Sequence, residues 1–426
     1  MRKLASAIVV VACLWLQACA GLPHRAPEPA RPLVLISIDA FRADYYDRGV
    51  TPRLKALAEG GARGTLRPSF PSLTFPNHYT LVTGKVPDHH GIVANNMYDP
   101  TYPGANAAPA LAWFDKTKNA DGVWWREAKP MWTSATQAGL KVDVVFWPGA
   151  QAENDGMRVD YAPDFQKALD SRGRADLLLQ RLDQPKRPDV FILYIDAVDE
   201  AGHKKGPDSP EVNTALAEAD AAVGHLLDGL KARGIDANVI VVSDHGMISV
   251  SKDRAVYISQ RLGDVPPDLV ADTQIPSFAS KDPRYDLVYY GAVAMINPRP
   301  GYGDALDKAL IRTKPDHMQC WHKGDIPTRL KFGSNARVPA IVCLGDPGWQ
   351  VGGLAPLGTD VGNHGYDPDT PEMTALFIAN GPDIRRGVSL GRFDNVDVYS
   401  LEMKLLGLKP EPNDGSLKIV GKALRK

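Results

Sequence analysis

The stretch "PLVLISID", residues 32–39, decides the fold class. It is an almost unbroken run of apolar residues that ends in an acid, which is typical of a strand buried on both faces. Helical patterns at 51–61 and 209–234 lie between stretches of this kind. The alternation predicts an α/β domain with a doubly wound, mostly parallel sheet. Its other predicted strands are 141–147, 189–196, 238–244 and 374–380.

Residues 250–360 interrupt this alternation. The segment is rich in Pro, Gly and Asp, and it contains two further apolar runs, 285–298 and 339–346. We expect these runs to form strands of a smaller, partly antiparallel α+β insertion. The main domain, 32–426, would then carry the insertion between its fourth core strand and its last polar loop.

The amino terminus has the pattern of an export signal. A short basic start precedes an apolar run of 13 residues, so residues 1–18 are predicted to be a signal peptide. "LQAC", Leu16 to Cys19, resembles a bacterial lipobox, which implies cleavage before Cys19 and a lipid on its sulfur. Ordinary cleavage nearby, without lipid, is the alternative. Residues 19–31 read as a Pro-rich tether.

These features predict an exported lipoprotein of the bacterial periplasm or outer membrane, held at the membrane by its lipid. Cys320 and Cys343 would then be the remaining pair of cysteines. An oxidising compartment favours a disulfide between them over two unpaired thiols.

The charge balance limits the possible partners. The chain has 49 basic and 50 acidic residues, a formal net charge of −1. This balance argues against a broad surface for the phosphate backbone of a nucleic-acid duplex. It leaves room for a local anion pocket.

Acids and imidazoles follow the ends of three predicted strands, and His364 lies in a Gly-rich loop before the last one. Because ligands of open α/β sheets bind outside the carboxyl ends of the strands, these side chains are expected to meet at one edge. Taken singly, each could be a turn residue or a helix cap. Together they offer three carboxylates and three imidazoles: Asp39, Asp199, His203, Asp244, His245 and His364.

Six such side chains suit two metal ions with three protein ligands each. Three ligands and an open position are typical of catalytic zinc, and two neighbouring ions can clamp both oxygens of a phosphoryl transfer. Zn²⁺ fits mixed His and Asp ligation, with Mn²⁺ or Fe as alternatives. Gly246, after Asp244 and His245, would permit the turn that brings both side chains to one site.

"SFPSLTFPNHYTLVTG", residues 69–84, places Thr74 just before a predicted helix start at Pro76. A threonine hydroxyl is a poor nucleophile unless a base or a metal activates it. The positive end of a helix also favours a bound phosphoryl group. The alternative is that Thr74 only caps the helix.

Several stretches together resemble the nucleotide pyrophosphatase/phosphodiesterase family of the alkaline phosphatase superfamily. They include "LISIDAFRADY", "TLRPSFPSLTFPNHYTLVTGKVPDHHGIVANNMYDP", "PMWTSATQAGLKVDVVFWPGA", "YIDAVDEAGHKKGPDS", "VVSDHGM" and "GNHGYDP". They run in family order from about residue 32 to about residue 400.

The resemblance implies a role for each residue. One zinc would be held by Asp39, Asp244 and His245, and the other by Asp199, His203 and His364. Thr74 would be a metal-bound nucleophile that forms a phosphothreonine intermediate. Asn95 would hydrogen-bond a nonbridging phosphoryl oxygen, and the rings of Phe75 and Tyr194 would sandwich a nucleobase.

The implied function is a two-zinc phosphodiesterase and pyrophosphatase that releases nucleoside 5′-monophosphates. One alternative is a choline-type glycerophosphodiesterase on the same scaffold, and another is a lipoprotein that binds zinc or nucleotide without turnover. "DEAGHKK", 199–205, departs from many relatives, which leaves the ligands intact but the leaving-group preference open.

Overall fold

The computed structural model describes residues 31–103, 111–114, 118–263, 282–353 and 358–425. The predicted signal peptide, the lipidation site Cys19 and all of the tether except Arg31 lie outside these ranges. Within them, no helix has the length and apolarity needed to cross a bilayer.

The elements are numbered here in chain order. The strands are β1 (Leu33–Ile38), β2 (Ala62–Arg67), β3 (Met97–Pro103), β4 (Leu111–Phe114), β5 (Val142–Val145), β6 (Val190–Ile195), β7 (Asn238–Val242), β8 (Ile248–Ser249), β9 (Ala255–Tyr257), β10 (Tyr285–Tyr289), β11 (Val293–Pro298), β12 (Met318–His322), β13 (Ile341–Gly345), β14 (Gln350–Gly352), β15 (Gly362–Asn363), β16 (Ala375–Asn380) and β17 (Val388–Asp394). The helices are α1 (Pro52–Glu59), α2 (Thr74–Thr83), α3 (Pro87–His90), α4 (Met131–Gln137), α5 (Ser171–Leu182), α6 (Ala197–Lys205), α7 (Pro210–Ala232), α8 (Ile258–Arg261), α9 (Gly303–Leu306) and α10 (Asp397–Leu405).

A seven-stranded sheet forms the centre of the domain, in the order β17-β2-β16-β7-β1-β6-β5. Neighbouring strands are parallel except at β16, which runs antiparallel to both β2 and β7. The structure therefore confirms the mostly parallel α/β sheet, and all five predicted core strands belong to it.

Both faces of this sheet are covered. Because successive strand side chains point to opposite faces, Leu33 and Leu35 enter one apolar core while Val34 and Ile36 enter the other. Helices α2, α4 and α10 contribute to the first core, and α1, α5, α6 and α7 to the second. This double coverage explains why the central strands are apolar throughout.

The insertion contains a four-stranded antiparallel sheet of order β10-β11-β13-β12. Cys320 on β12 lies directly opposite Cys343 on β13, and the two form a disulfide. The antiparallel insertion and the disulfide are both confirmed.

Two strands of the large sheet were not predicted. In β2, "ARGTLR", buried residues alternate with polar, more exposed ones, and β17 has a polar sequence of the same kind. Both lie at the β17 edge of the sheet, where one face is partly open, so they lack the continuous apolar run of the central strands.

Candidate active site

Tight turns at the ends of two neighbouring strands bring the first acids together. Asp39 follows β1, and the next residue, Ala40, has φ +55°, an unusual value for a residue with a side chain. The backbone amide of Ala40 lies 3.3 Å from Oδ1 of Asp244, which it donates to. The turn after β1 is thus tied to the segment after β7.

Gly246 has a different role from the one predicted. Its φ is not positive, but a Cβ atom there would lie 1.9 Å from the carbonyl oxygen of Glu372. The amide of Gly246 also donates to Met373 O at 3.0 Å. Glycine is therefore needed because two backbone segments touch, and this contact fixes the position of Asp244 and His245.

The first group of candidate metal ligands is fully enclosed. Nε2 of His245 lies 3.0 Å from Oδ2 of Asp244 and 3.4 Å from Oδ1 of Asp39. None of the three side chains is more than 1% exposed. The structure therefore brings together Asp39, Asp244 and His245, as expected.

The second group lies beside the first. Nε2 of His203 is 3.2 Å from Nε2 of His364 and 3.4 Å from Oδ1 of Asp199. His364 Nε2 is 3.6 Å from the same Asp199 oxygen. The rings of His245 and His364 stack at 3.6 Å, so the two groups adjoin. One Asp199 oxygen is also close enough to join His245 and His364 in a three-ligand set.

Backbone carbonyls orient all three imidazoles. Nδ1 of His203 lies 2.9 Å from Gly362 O, Nδ1 of His245 2.9 Å from Gly246 O, and Nδ1 of His364 3.0 Å from Ser72 O. A carbonyl can only accept, so each Nδ1 carries the proton and each Nε2 presents a lone pair. This is the arrangement that ligating histidines adopt in metalloproteins.

Three carboxylate oxygens also lack a hydrogen-bond donor among the described residues. They are Oδ1 of Asp39, Oδ1 of Asp199 and Oδ2 of Asp244. Buried polar atoms are almost always satisfied, so an unpaired set facing unprotonated nitrogens needs a cation. The donor set fits two divalent ions, and its N and O atoms suit Zn²⁺.

Burial makes charge costly in this cluster when no cation is present. Burial, followed by the charges of Asp244 and Asp199, raises the pKa of Asp39 well above its ordinary value. Burial and the neighbouring imidazoles lower the pKa of His364.

Thr74 is the first residue of α2 rather than a residue of the preceding loop. The residue before the helix, Leu73, makes no side-chain cap, and Oγ1 of Thr74 points elsewhere: it lies 3.2 Å from Nε2 of His245. The hydroxyl therefore faces the ligand cluster from the positive end of a helix.

Asn95 lies beside this hydroxyl in the same cavity. Its Oδ1 accepts the backbone amide of Phe75 at 2.9 Å, which fixes the side chain and leaves the amide nitrogen as the donor. Asn95 and Thr74 both line the cavity. The pair thus offers a hydroxyl and an amide donor at one place.

A cavity of about 670 Å³ opens over Thr74. Four aromatic rings contribute to its walls: Phe75, Phe146, Phe165 and Tyr194. Phe165 is 47% exposed, which is unusual for a phenylalanine, whereas Tyr194 is only 8% exposed. Phe75 packs edge-on against Phe114 at 5.7 Å. An apolar slot with a polar floor can take a flat ring attached to an anion.

The environment of Tyr194 argues against its predicted stacking role. Its hydroxyl donates to Oδ2 of Asp39 at 2.5 Å, and its ring packs edge-on against His78 at 4.9 Å. These contacts make it part of the cavity floor. Phe165 is the aromatic residue that the sequence reasoning missed; it lies in an irregular, polar segment whose sequence gave no signal of a site.

Comparisons with known proteins agree with this geometry. The profile of the family described as type I phosphodiesterase / nucleotide pyrophosphatase matches residues 33–367. An uncharacterized pyrophosphatase/phosphodiesterase of Schizosaccharomyces pombe is 34% identical over 399 residues, which cover 90% of this chain and 78% of the yeast protein.

Longer animal proteins are similar over the same region. Mouse ectonucleotide pyrophosphatase/phosphodiesterase family member 1 is 35% identical over 90% of this chain, but this match covers only 42% of the mouse protein. The chain thus spans less than half the length of that relative. A venom phosphodiesterase of Crotalus durissus collilineatus is 33% identical, with 45% of its length covered.

Among solved structures, murine ectonucleotide pyrophosphatase/phosphodiesterase 5 superposes with a TM-score of 0.82 at 30% identity, covering 93% of this chain and all of the other. An inactive threonine-to-alanine variant of that protein, in complex with AMP, gives the same TM-score.

Proposed function

Because the chain belongs to the type I phosphodiesterase / nucleotide pyrophosphatase family of the alkaline phosphatase superfamily, we propose that it is a two-zinc enzyme that cleaves nucleotides. It would hydrolyse phosphodiester and pyrophosphate bonds and release nucleoside 5′-monophosphates. One observation carries the proposal: a helix-terminal hydroxyl, Thr74 Oγ1, lies 3.2 Å from a ligand-type nitrogen of a buried Asp/His cluster under an aromatic cavity.

The proposed metal sites use the two groups of side chains described above. Asp39, Asp244 and His245 would hold one Zn²⁺ together with Thr74, and Asp199, His203 and His364 would hold the other. When bound, such ions lower the pKa of a ligated hydroxyl and stabilise charge on the attacking and leaving oxygens.

Thr74 would act as the nucleophile. The hydroxyl loses its proton and Oγ1 forms a bond to phosphorus as the bond to the leaving oxygen breaks. The leaving group takes up a proton and departs, and the product is a phosphothreonine intermediate with the nucleoside still esterified. Water then cleaves the bond between Oγ1 and phosphorus, restores the hydroxyl and frees the nucleoside 5′-monophosphate. The amide nitrogen of Asn95 would donate to a nonbridging oxygen, a contact of about 3 kcal/mol in comparable sites.

The cavity walls favour a nucleotide as substrate. Phe75 and Phe165 would bind the two faces of a base, and stacking of this kind contributes about 1–3 kcal/mol per base. The murine relative was solved in complex with AMP, which supports a nucleotide ligand. A choline headgroup would need further aromatic rings or acids for its cation, and two acids of the cavity wall already have partners: Asp196 pairs with Arg174 at 2.8 Å and Glu200 with Lys204.

One assay tests the proposal against its alternatives. The purified protein is given the p-nitrophenyl esters of thymidine 5′-monophosphate and of phosphorylcholine, each with and without a chelator. We expect faster release of p-nitrophenol from the nucleotide ester, and loss of that activity with chelator. Preference for the choline ester would support the glycerophosphodiesterase alternative, and no turnover of either ester would support a binding protein.

We also propose that the enzyme is exported and lipid-anchored at Cys19. The support is the sequence pattern of residues 1–19. Export is compatible with the disulfide between Cys320 and Cys343, since disulfides persist in oxidising compartments.

A further inference from the structure

A buried arginine lies behind the aromatic wall of the cavity. Arg174, near the start of α5, is 2% exposed. The central carbon of its guanidinium lies 5.1 Å from the ring centre of Phe165, 5.3 Å from that of Phe146 and 6.0 Å from that of Tyr194. Phe165 lines the cavity and is half exposed, and the guanidinium lies within cation–π distance of its ring.

Hydrogen bonds fix the guanidinium in this position. Nε donates to Leu169 O at 3.0 Å, Nη1 to Tyr194 O at 3.1 Å, and Nη2 pairs with Oδ1 of Asp196 at 2.8 Å. Arg174 therefore joins the segment that carries Phe165 to the end of β6. A rigid, planar fork with several donors can hold two segments in this way, whereas a lysine cannot.

Two other rings of the wall contact Phe165. Phe165 touches Phe146 edge-on at 5.4 Å and Tyr194 at 6.4 Å. Phe146 itself has φ +72°, a backbone conformation that is costly for a bulky side chain and persists only where the surroundings impose it. Cation–π contacts with Arg174 reach both rings.

Arg174 also cancels a charge on the cavity wall. Asp196 lines the cavity that would receive an anionic substrate, and its carboxylate is 22% exposed. Without a partner, this acid would repel a phosphoryl group. The pairing with Arg174 removes most of that repulsion.

We propose that Arg174 is a specificity-determining positioning residue: it holds Phe165 and Phe146 as a preformed surface for the nucleobase and neutralises Asp196. It raises affinity for the nucleoside part of the substrate without touching it, because a preformed surface loses less conformational entropy on binding. The inference rests on the proposed nucleotide-cleaving function.

The test compares two phosphodiesters with the same leaving group. The p-nitrophenyl ester of thymidine 5′-monophosphate contains a base, and methyl p-nitrophenyl phosphate does not. For Arg174→Met we expect kcat/KM on the nucleotide ester to fall about tenfold, mostly through KM, because a stacking contact of this size is lost. Activity of this variant on the methyl ester should fall only through the unpaired Asp196, and adding Asp196→Asn should bring it back to within about twofold of the wild type while cleavage of the nucleotide ester stays impaired. The inhibition constant of AMP should rise in parallel with KM in both variants.

Arg181→Met is the matched control. Arg181 is on the same helix, pairs with Asp143 at 2.7 Å and lies 4.4 Å from the ring of Tyr161, but does not line the cavity. It should leave the ratio of the two activities unchanged. If Arg174→Met does not fold, Arg174→Lys is measured instead. It keeps the charge without the planar guanidinium and should give a smaller fall in kcat/KM on the nucleotide ester.

A double-mutant cycle with Phe165→Ala decides whether Arg174 acts through the ring. The double variant should lose little more nucleotide activity than Phe165→Ala alone, because the two residues form one unit. Additive losses, or equal losses on both substrates, would overturn the inference while leaving the proposed function intact. Failure of the wild-type protein to cleave either ester would instead overturn the proposed function.

Discussion

The hydroxyl of Tyr194 donates a 2.5 Å hydrogen bond to Oδ2 of Asp39, on the floor of the cavity. The other oxygen of Asp39 has no hydrogen-bond donor among the described residues and faces His245. Tyr194 thus fixes which carboxylate oxygen is presented to the cluster. Among the influences on Asp39, this hydrogen bond lowers the pKa, whereas burial and two neighbouring acids raise it.

Tyr194→Phe is therefore expected to lower kcat about tenfold or more, because hydrogen bonds to charged groups contribute about 1.5–3 kcal/mol. Its effect should be equal on nucleotide and base-free esters. Tyr399→Phe is the control, since that hydroxyl accepts the amide of Glu411 away from the cluster. If Tyr194 instead stacked on a base, phenylalanine would replace it with little loss of rate.

Thr74→Ala should reduce turnover at least about a thousandfold, because it removes the proposed nucleophile. Steady-state kinetics and zinc analysis would be measured together, and the zinc content should remain that of the wild type. Thr83→Ala, on the same helix, removes a hydroxyl that donates to Tyr79 O and accepts from the amide of Lys85, and this variant should remain active. A Thr74→Ala variant with near-normal rate would refute the assignment.

Removal of metal should lower both activity and stability. Without cations, three acids and three imidazoles share one buried cluster, so a chelator should reduce the melting temperature and Zn²⁺ should restore it. Elemental analysis should find about two zinc ions per chain in the wild type and fewer in Asp199→Asn. Asp176→Asn, at a surface acid paired with His225, should change neither value. A chelator-treated protein with unchanged melting and full activity would contradict the metal sites.

Glu402 predicts a pH-dependent loss of stability. This side chain on α10 is 0% exposed, and neither carboxylate oxygen has a hydrogen-bond partner among the described residues. Burial raises its pKa well above the ordinary value. Because the pKa is raised in the folded state, the free energy of unfolding is greatest below the pKa of the unfolded chain, about 4.3. It declines as the pH rises above that value, by about 1.4 kcal/mol per pH unit, until the carboxyl ionises in the folded state.

Glu402→Gln should remove this decline, because the amide cannot ionise. Urea unfolding would be measured for this variant and the wild type at pH 4.5 and at pH 7.5. The free energy of unfolding of the variant should exceed that of the wild type at pH 7.5 and differ little from it at pH 4.5. Glu411→Gln, at a partly exposed acid near Lys129, is the control. A gain that is the same at both pH values would contradict the explanation.

Cys19→Ala should release the protein from the membrane if the lipobox is used. Cell fractionation and labelling with a radioactive fatty acid would follow the change. Cys13→Ala, within the apolar run of the predicted signal peptide, should keep the label. Labelled protein in the Cys19→Ala variant would exclude lipidation at that residue.

The sequence allowed the central strands and the six ligand candidates to be predicted because both carry strong local signals. Continuous apolar runs mark doubly covered strands, and Asp39, Asp244 and His245 come within three residues of their ends. Asp39 after β1 and His245 after β7 are examples. Their assignment to one edge followed from the parallel arrangement alone.

Other features depend on contacts that no local pattern encodes. Gly246 is needed because Glu372, far along the chain, touches it. Phe165 is identified by its exposure, and Tyr194 by the burial of its hydroxyl against Asp39. The reversed direction of β16 is equally invisible in its apolar sequence. Each of these is a tertiary relationship, which only coordinates reveal.

The orientation of the three histidines has an evolutionary consequence. Their Nδ1 protons go to carbonyls of Gly246, Gly362 and Ser72, and every amino acid supplies such a carbonyl. No side-chain replacement at those three positions can delete the acceptor itself. Substitutions of neighbouring side chains therefore leave the orientation of the three imidazoles intact. Changes in the backbone path, such as insertions or bulkier residues at Gly246 and Gly362, are the main way to disturb it. Divergent relatives can then replace most of the surroundings and keep the same imidazole geometry.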